Sequence, residues 1–131
     1  MDRTGKKYKA RNKKSAQARA EYIYGKLCAV CRCHPATECH HLAGRNAKAR
    51  DEVAAQYEHP ANWLPVCGSF GRGCHEMVDK ETPALMACAA KLEMGELDIR
   101  HLQKLKAGRK FAINLSELHQ ALDDLQTWRL K

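Results

Sequence analysis

A mostly helical α+β fold, built around a small pair of strands and a frame of paired cysteines, is the class that this sequence predicts. Three observations predict it. Cysteines recur as Cys28-x2-Cys31 and Cys67-x6-Cys74, and the stretches between and beside them hold only two short strand-like segments. Apolar residues recur at helical spacing through the last third of the chain. A length of 131 residues makes one domain with appended helices, a size at which a bound metal helps a modest core.

Taken in order, the chain starts with a basic arm. Residues 1–19 carry Arg3, Lys6, Lys7, Lys9, Arg11, Lys13, Lys14 and Arg19 against Asp2 alone, so they hold nearly all of the net charge of +8. Residues 1–14 lack apolar periodicity and are expected to be disordered when free. Such arms grip phosphates without reading sequence, and the binding weakens with salt. The plainer alternative is a solvated tail that aids solubility. Ser15 is the expected cap of a first helix, with Ala16, Ala20, Ile23 and Tyr24 on one face and Gly25 at its end.

Cys28 and Cys31 then form a tight turn, followed by Cys33, His34 and Pro35. Ala36 to Leu42 reads as a strand. Thr37, Cys39 and His41 fall on one face, and Glu38, His40 and Leu42 on the other. Adjacent histidines thereby point apart, which permits two different jobs; alone, the pair is no more than polar surface. Residues 43–61 form a polar connection, partly helical from Lys48 to Tyr57. Asn62 to Val66 is the second strand, demoted to an edge by Pro65. The glycine-rich run from Gly68 to Gly73 is a loop, and Cys74-His75 opens a helix to about Asp79.

Thr82 and Pro83 suit the start of the next helix, with Leu85, Cys88, Ala89 and Leu92 as its inner stripe and Gly95 as its end. Asp98 caps a short helix with Ile99, Leu102 and Leu105 inward. Gly108 to Lys110 breaks the pattern. Ser116 is the expected cap of the last helix, whose apolar face is Leu118, Leu122, Leu125 and Trp128. Three segments follow: a basic arm over 1–14, a metal-framed core over 15–95 and a helical extension over 96–131. The extension could bind a protein partner, dimerise or only complete the core.

No run approaches 18 apolar residues, so nothing is expected to span a membrane. No apolar signal region follows Met1, and seven cysteines, an odd number, do not make a complete disulfide framework. A reducing compartment, the cytoplasm, is expected, where paired cysteines bind metal. The basic balance favours a nucleic-acid partner or an acidic membrane surface.

Four cysteines in two pairs suit a tetrahedral structural zinc, so Cys28, Cys31, Cys67 and Cys74 are the expected ligands. Cys33 and Cys39 remain substitutes for any one of them. Cys88 lies on an apolar stripe and reads as core.

The ordered set Cys28-x2-Cys31, His40-His41, Asn62 five residues before Cys67, and Cys74-His75 resembles the HNH endonucleases of the zinc-knuckle type, whose fold is the ββα-metal or His-Me finger. The resemblance covers about residues 28–79. Its one departure is the second knuckle, commonly Cys-x2-Cys and here wider by four residues. The resemblance implies a metal-dependent endonuclease that hydrolyses double-stranded DNA, leaving 5′-phosphate and 3′-hydroxyl ends. It implies His40 and His75 as ligands of a catalytic divalent ion, Mg²⁺ or Mn²⁺, His41 as general base and Asn62 as the brace that orients it. Arg45 is a candidate phosphate clamp, and Arg72 a weaker one. The small size suits a phage-type enzyme in a bacterial cytoplasm. His34, His59, His101 and His119 match no motif position and read as surface or capping residues.

Two other readings compete. A zinc-stabilised nucleic-acid-binding module without catalysis explains the cysteines and the arm equally well. It leaves the placing of His40, His41, Asn62 and His75 unexplained. A thiol-rich redox or metal-storage protein leaves the arm unexplained as well.

Overall fold

The computed structural model describes residues 6–44, 51–81, 84–105 and 113–131. Helices hold about 54% of the chain against one two-stranded antiparallel sheet, so the class is α+β and mostly helical, as the sequence predicts. In chain order the elements are α1 (Lys6–Ile23), β1 (Glu38–His41), α2 (Asp51–Tyr57), a 3-10 turn (Pro60–Asn62), β2 (Trp63–Val66), α3 (Cys74–Asp79), α4 (Leu85–Glu93), α5 (Ile99–Leu105) and α6 (Leu115–Arg129). No helix among the described residues is long and apolar enough to cross a membrane.

The first helix differs from the expectation. It runs from Lys6, so Ser15 lies inside it and the arm from Lys6 on is helical backbone. Lysine, arginine, alanine and glutamine all favour helix, and a polar helix needs no apolar stripe to form where its later turns are anchored. The anchor here is Tyr22, whose ring lies 5.5 Å from that of Trp63 on β2.

β1 pairs with β2 in the register Glu38↔Val66, Cys39↔Pro65, His40↔Leu64 and His41↔Trp63. Pro65 is accommodated because this sheet has only edge strands. Its carbonyl is still used, accepting from Ala29 N at 2.8 Å. β1 contacts both α1 and α3. Together β1, β2 and α3 make a small ββα unit, as the sequence pattern predicts, with Asn62 ending the 3-10 turn before β2 and outside the strand.

The remaining helices complete the core. α4 and α6 pack against each other. Five consecutive α4 residues, Ala87 to Lys91, are buried, which is wider than the stripe read from the sequence. The expected caps Thr82 and Pro83, and the break at Gly108 to Lys110, lie outside the described residues. The carboxylate of Glu81 accepts from Met86 N and Ala87 N at 3.0 and 3.1 Å, capping α4 from outside. Asp98 caps α5 by accepting from His101 N at 3.1 Å. Asn114, two residues before the expected Ser116, caps α6 by accepting from Ser116 N at 2.8 Å. On α6, Leu118 and Leu125 are buried and Leu122 and Trp128 pack at the edge. Each fully buried leucine contributes about 2 kcal/mol.

Lys91 is completely buried and yet satisfied. Its ammonium donates to Pro60 O at 2.8 Å, Tyr22 Oη at 2.9 Å and Glu96 Oε1 at 3.0 Å. Burial pulls its pKa down, and the Glu96 carboxylate opposes that. Three donors meeting three acceptors is what makes a buried ammonium tolerable, and here they tie α1, α4 and the turn before β2 together.

Candidate metal centres

The two cysteine pairs converge. Cys28 and Cys31 sit in the turn between α1 and β1; Cys67 follows β2, and Cys74 opens α3. All four are buried, and their sulfurs lie within 4.8 Å of one another. Cys31 Sγ and Cys67 Sγ are 3.9 Å apart. Two ligand sulfurs on one tetrahedral zinc stand about 3.8 Å apart, given Zn–S bonds of about 2.3 Å. The wide second knuckle closes because its loop doubles back, with Gly71 N and Gly73 N both donating to Gly68 O at 3.0 Å. Gly71 is required for this approach, since a Cβ there would fall 2.8 Å from Cys67 Cβ. Backbone N–H groups already point at the sulfurs, Cys31 N at Cys28 Sγ and Arg72 N at Cys67 Sγ. A hydrogen bond from Cys74 lowers the pKa of Cys28, while the same contact raises that of Cys74. Four thiols crowded this way shed their protons together only when a cation takes their place. The cluster can therefore hold a metal such as zinc. All seven cysteines are free thiols.

A second cluster adjoins the first through the Cys74-His75 step. Strand alternation sends Glu38 and His40 to the α3 side of β1. There His40, His75 and Asp79 present ligand atoms within 4.8 Å of one another. The His40 and His75 rings meet edge to face at 5.4 Å. His40 is buried, and its Nδ1 has no hydrogen-bond partner; Asp79 Oδ1 stands 3.8 Å away. Burial, aided by the charge of His75, pushes the His40 pKa down to about 4. The ring is thus neutral near pH 7, with a lone pair available, which is the state a metal requires. His75 Nδ1 pairs with Glu38 Oε1 at 2.6 Å, which leaves Nε2 as its ligand nitrogen. A carboxylate on the far nitrogen fixes the tautomer and strengthens the ligand. Gly68 makes room for Glu38, because a Cβ at that position would lie 1.9 Å from Glu38 Oε2. Two imidazoles and a carboxylate, with one carboxylate behind them, fit a divalent ion.

Neither Asp79 nor Glu38 is a candidate site residue in the sequence reading. Asp79 carried a usable signal, since it stands four residues after His75 on one helix and so shares its face. Glu38 stands two residues before His40 on one strand face.

His41 lies on the other side of β1, toward α1. Its Nε2 pairs closely with Glu58 Oε1, and Arg19 pairs with the other oxygen of that carboxylate. Trp63 Nε1 donates to Glu58 Oε1 at 3.4 Å. The structure thus brings His40 and His75 together and turns His41 away from them. Asn62 is fully buried, and its side chain makes three hydrogen bonds. Its Oδ1 accepts from Ala43 N at 2.7 Å; its Nδ2 donates to Tyr57 O at 2.9 Å and Gly44 O at 3.1 Å. It therefore closes the loop that follows His41.

Arg45 lies outside the described residues. Lys6, Lys7, Lys9 and Arg11 lie on the α1 backbone, with side chains outside the description, while Lys13 and Lys14 are exposed on the same helix. Arg72 stacks on Trp128, its guanidinium 3.9 Å from the ring centre, and so faces the core helix α6. His59 caps the 3-10 turn by accepting from Ala61 N and stacks on His101. No family model, no curated protein and no solved structure matches this chain.

Proposed function

We propose that this chain is a metal-dependent DNA endonuclease of the HNH type. The observation that carries the reading is the buried, neutral His40, whose unpartnered Nδ1 points into a cluster shared with His75 and Asp79. A buried imidazole nitrogen without a partner costs stability unless something else satisfies it. His40, His75 and Asp79 would hold a divalent ion, and two imidazoles among three ligands favour Mn²⁺ over Mg²⁺. Such an ion supplies Lewis acidity to the scissile phosphate and to the leaving oxygen.

The chain's own residues do the rest. Glu58 pairs with His41 Nε2 and orients its ring. The reading requires His41 to reach the attacking water from the opposite face of β1 and to take its proton as the water oxygen bonds to phosphorus and the bond to O3′ breaks; the O3′ oxyanion is protonated by solvent. Asn62 holds the loop behind His41 in one conformation. Cys28, Cys31, Cys67 and Cys74 would hold a structural zinc, and Cys74, fixed in that way, would place its neighbour His75. Lys13, Lys14 and the rest of the basic helix contact phosphates of double-stranded DNA.

The Glu58 contact also favours a second reading. A carboxylate paired to His41 and to Arg19 is what a purely structural histidine would make, and then the chain is a zinc-stabilised nucleic-acid-binding module. Plasmid cleavage with Mn²⁺, Mg²⁺ or EDTA, for wild type beside His40→Ala and His41→Ala, separates the two. The nuclease reading expects nicking that needs metal and is lost in both variants, with DNA binding kept. Intact DNA binding with no cleavage under any metal supports the module instead.

A further inference from the structure

The first knuckle carries ligands that neither the structural zinc nor the proposed nuclease site uses. Cys33 and His34 follow Cys31 directly, and Cys31, Cys33 and His34 bring two sulfurs and an imidazole nitrogen within 4.8 Å of one another. Cys33 is exposed, His34 is half-buried and Cys31 is buried. We propose that Cys33 and His34, sharing the Cys31 thiolate, form a second, surface site for a soft divalent ion of the Zn²⁺ and Cd²⁺ class. This goes beyond the nuclease reading and stands without it.

The distances carry the proposal. His34 Nδ1 lies 3.3 Å from Cys33 Sγ and 3.7 Å from Cys31 Sγ. A sulfur and an imidazole nitrogen bound to the same tetrahedral zinc stand about 3.6 Å apart, given bonds of about 2.3 and 2.0 Å. The imidazole nitrogen is therefore spaced as a ligand from both sulfurs before any ion arrives. The backbone that holds them there is unusual. Arg32, between Cys31 and Cys33, is the one non-glycine residue with positive φ among the described residues, at 59°. A left-handed arginine costs on the order of 1 kcal/mol. It turns the chain back so that Cys33 and His34 flank Cys31 instead of leading away from it. His34 O accepts from Cys28 N at 2.8 Å and locks the return. Across from it, a Cβ on Gly71 would approach His34 Cβ to 3.2 Å, so the glycine leaves His34 its place.

Cys31 faces both sites, 3.9 Å from Cys67 Sγ and 3.7 Å from His34 Nδ1. A thiolate keeps lone pairs after binding one ion and can bridge to another. The second ion would have three protein ligands and one position open to solvent, so it exchanges more readily than the enclosed one.

The test is a Cd²⁺ titration of metal-free protein, read by thiolate-to-metal absorbance and by cadmium-113 NMR. Counted by thiolate absorbance, to which the His40, His75 and Asp79 cluster contributes nothing, wild type is expected to take two equivalents and to show two thiolate-ligated resonances that couple to each other through the shared sulfur. Cys33→Ser/His34→Ala should keep the first equivalent, which also shows that the fold survives, and lose at least a hundredfold in affinity for the second. His34→Ala alone, with every cysteine present, should weaken the second equivalent while leaving the first. One equivalent in wild type overturns the proposal. So does a second equivalent that persists unweakened in the double variant, or two resonances without coupling, since either places the second ion elsewhere.

Discussion

The two metal clusters stand side by side and are built on opposite principles. The cysteine cluster is buried on every side, uses one ligand chemistry and is lined by backbone donors. The histidine cluster mixes nitrogen and oxygen and pairs a buried His40 with an Asp79 whose side chain is 71% exposed. The first has the closed form of a structural site, and the second has room for solvent and substrate. What joins them is one peptide bond, between Cys74 and His75. The difference teaches that the chain encloses one set of ligands within the ββα unit and leaves a mixed set open to solvent, as the proposed chemistry requires.

The contrast is broken most completely from the closed side. Cys28→Ser should remove the structural metal and with it the fold. Structural zinc in small domains supplies on the order of 10 kcal/mol of apparent binding free energy, comparable to the stability of a whole domain. Metal analysis of the purified variant and its thermal melt check this. A cooperative melt at the wild-type temperature, with full zinc, would show that Cys28 is not a ligand and that Cys33 or Cys39 takes its place.

On the open side, His40→Ala should do the reverse. Cleavage should fall by about a hundredfold or more, while zinc content is kept and the melt moves little. The substitution removes an imidazole whose Nδ1 is unsatisfied, so the fold loses packing without losing a hydrogen bond there. Loss of zinc together with cleavage would mean that the two clusters are one mechanical unit and that the division between them is wrong.

How far the sequence reveals each cluster follows from the same contrast. Cysteines seldom pair without a reason, so spacing favours the four that converge, while leaving Cys33 and Cys39 open as substitutes. His40 and His75 can be picked out because they adjoin an ordered pattern. Asp79, Glu38 and Glu58 are not legible in that way. Carboxylates are common on any surface, and Glu38 meets its partner His75 across 37 residues of chain. The two strands and six helices are legible from period and length, but their ends are not. Asn114 caps α6 where Ser116 was equally suitable, and the strength of a cap depends on backbone geometry that composition does not show. Lys91 escapes detection for a similar reason, since three acceptors from distant segments have to converge before a lysine can be buried.

The supporting layer of the open site offers a finer test. Glu38→Gln should weaken Mn²⁺ binding about tenfold, because outer partners of ligating histidines typically contribute 10–100-fold and glutamine keeps part of the hydrogen bond. Gly68→Ala should do much the same by a different route, as its Cβ displaces the Glu38 carboxylate. The pair combined should be no worse than either alone, since both act through one contact. Isothermal titration with Mn²⁺ on zinc-loaded protein reads all three. Additive losses would separate Gly68 from Glu38.

The smallest expected effect concerns how the closed site is braced from outside. Arg129, on the last turn of α6, donates to Ala29 O at 2.9 Å and Val30 O at 2.7 Å, the two residues between Cys28 and Cys31. It also grips Glu93 of α4 with two nitrogens, at 2.6 and 2.9 Å. No comparable brace from α6 reaches the histidine cluster among the described residues. Arg129→Gln should cost roughly 1 kcal/mol of stability at neutral pH with zinc retained. The hydrogen bond from Arg129 lowers the pKa of Glu93 below its ordinary value. A carboxylate depressed in this way stabilises the fold above its unfolded pKa, and the contribution disappears as pH falls through the folded one. The stability gap between wild type and Arg129→Gln should therefore narrow on acidification. Denaturant titrations of both proteins at each pH measure that gap, and acid release of zinc, common to both, cancels in the difference. A gap that stays constant down to the lowest pH would mean that the knuckle carbonyls, which do not titrate, carry the whole of the brace and that Glu93 adds nothing to it.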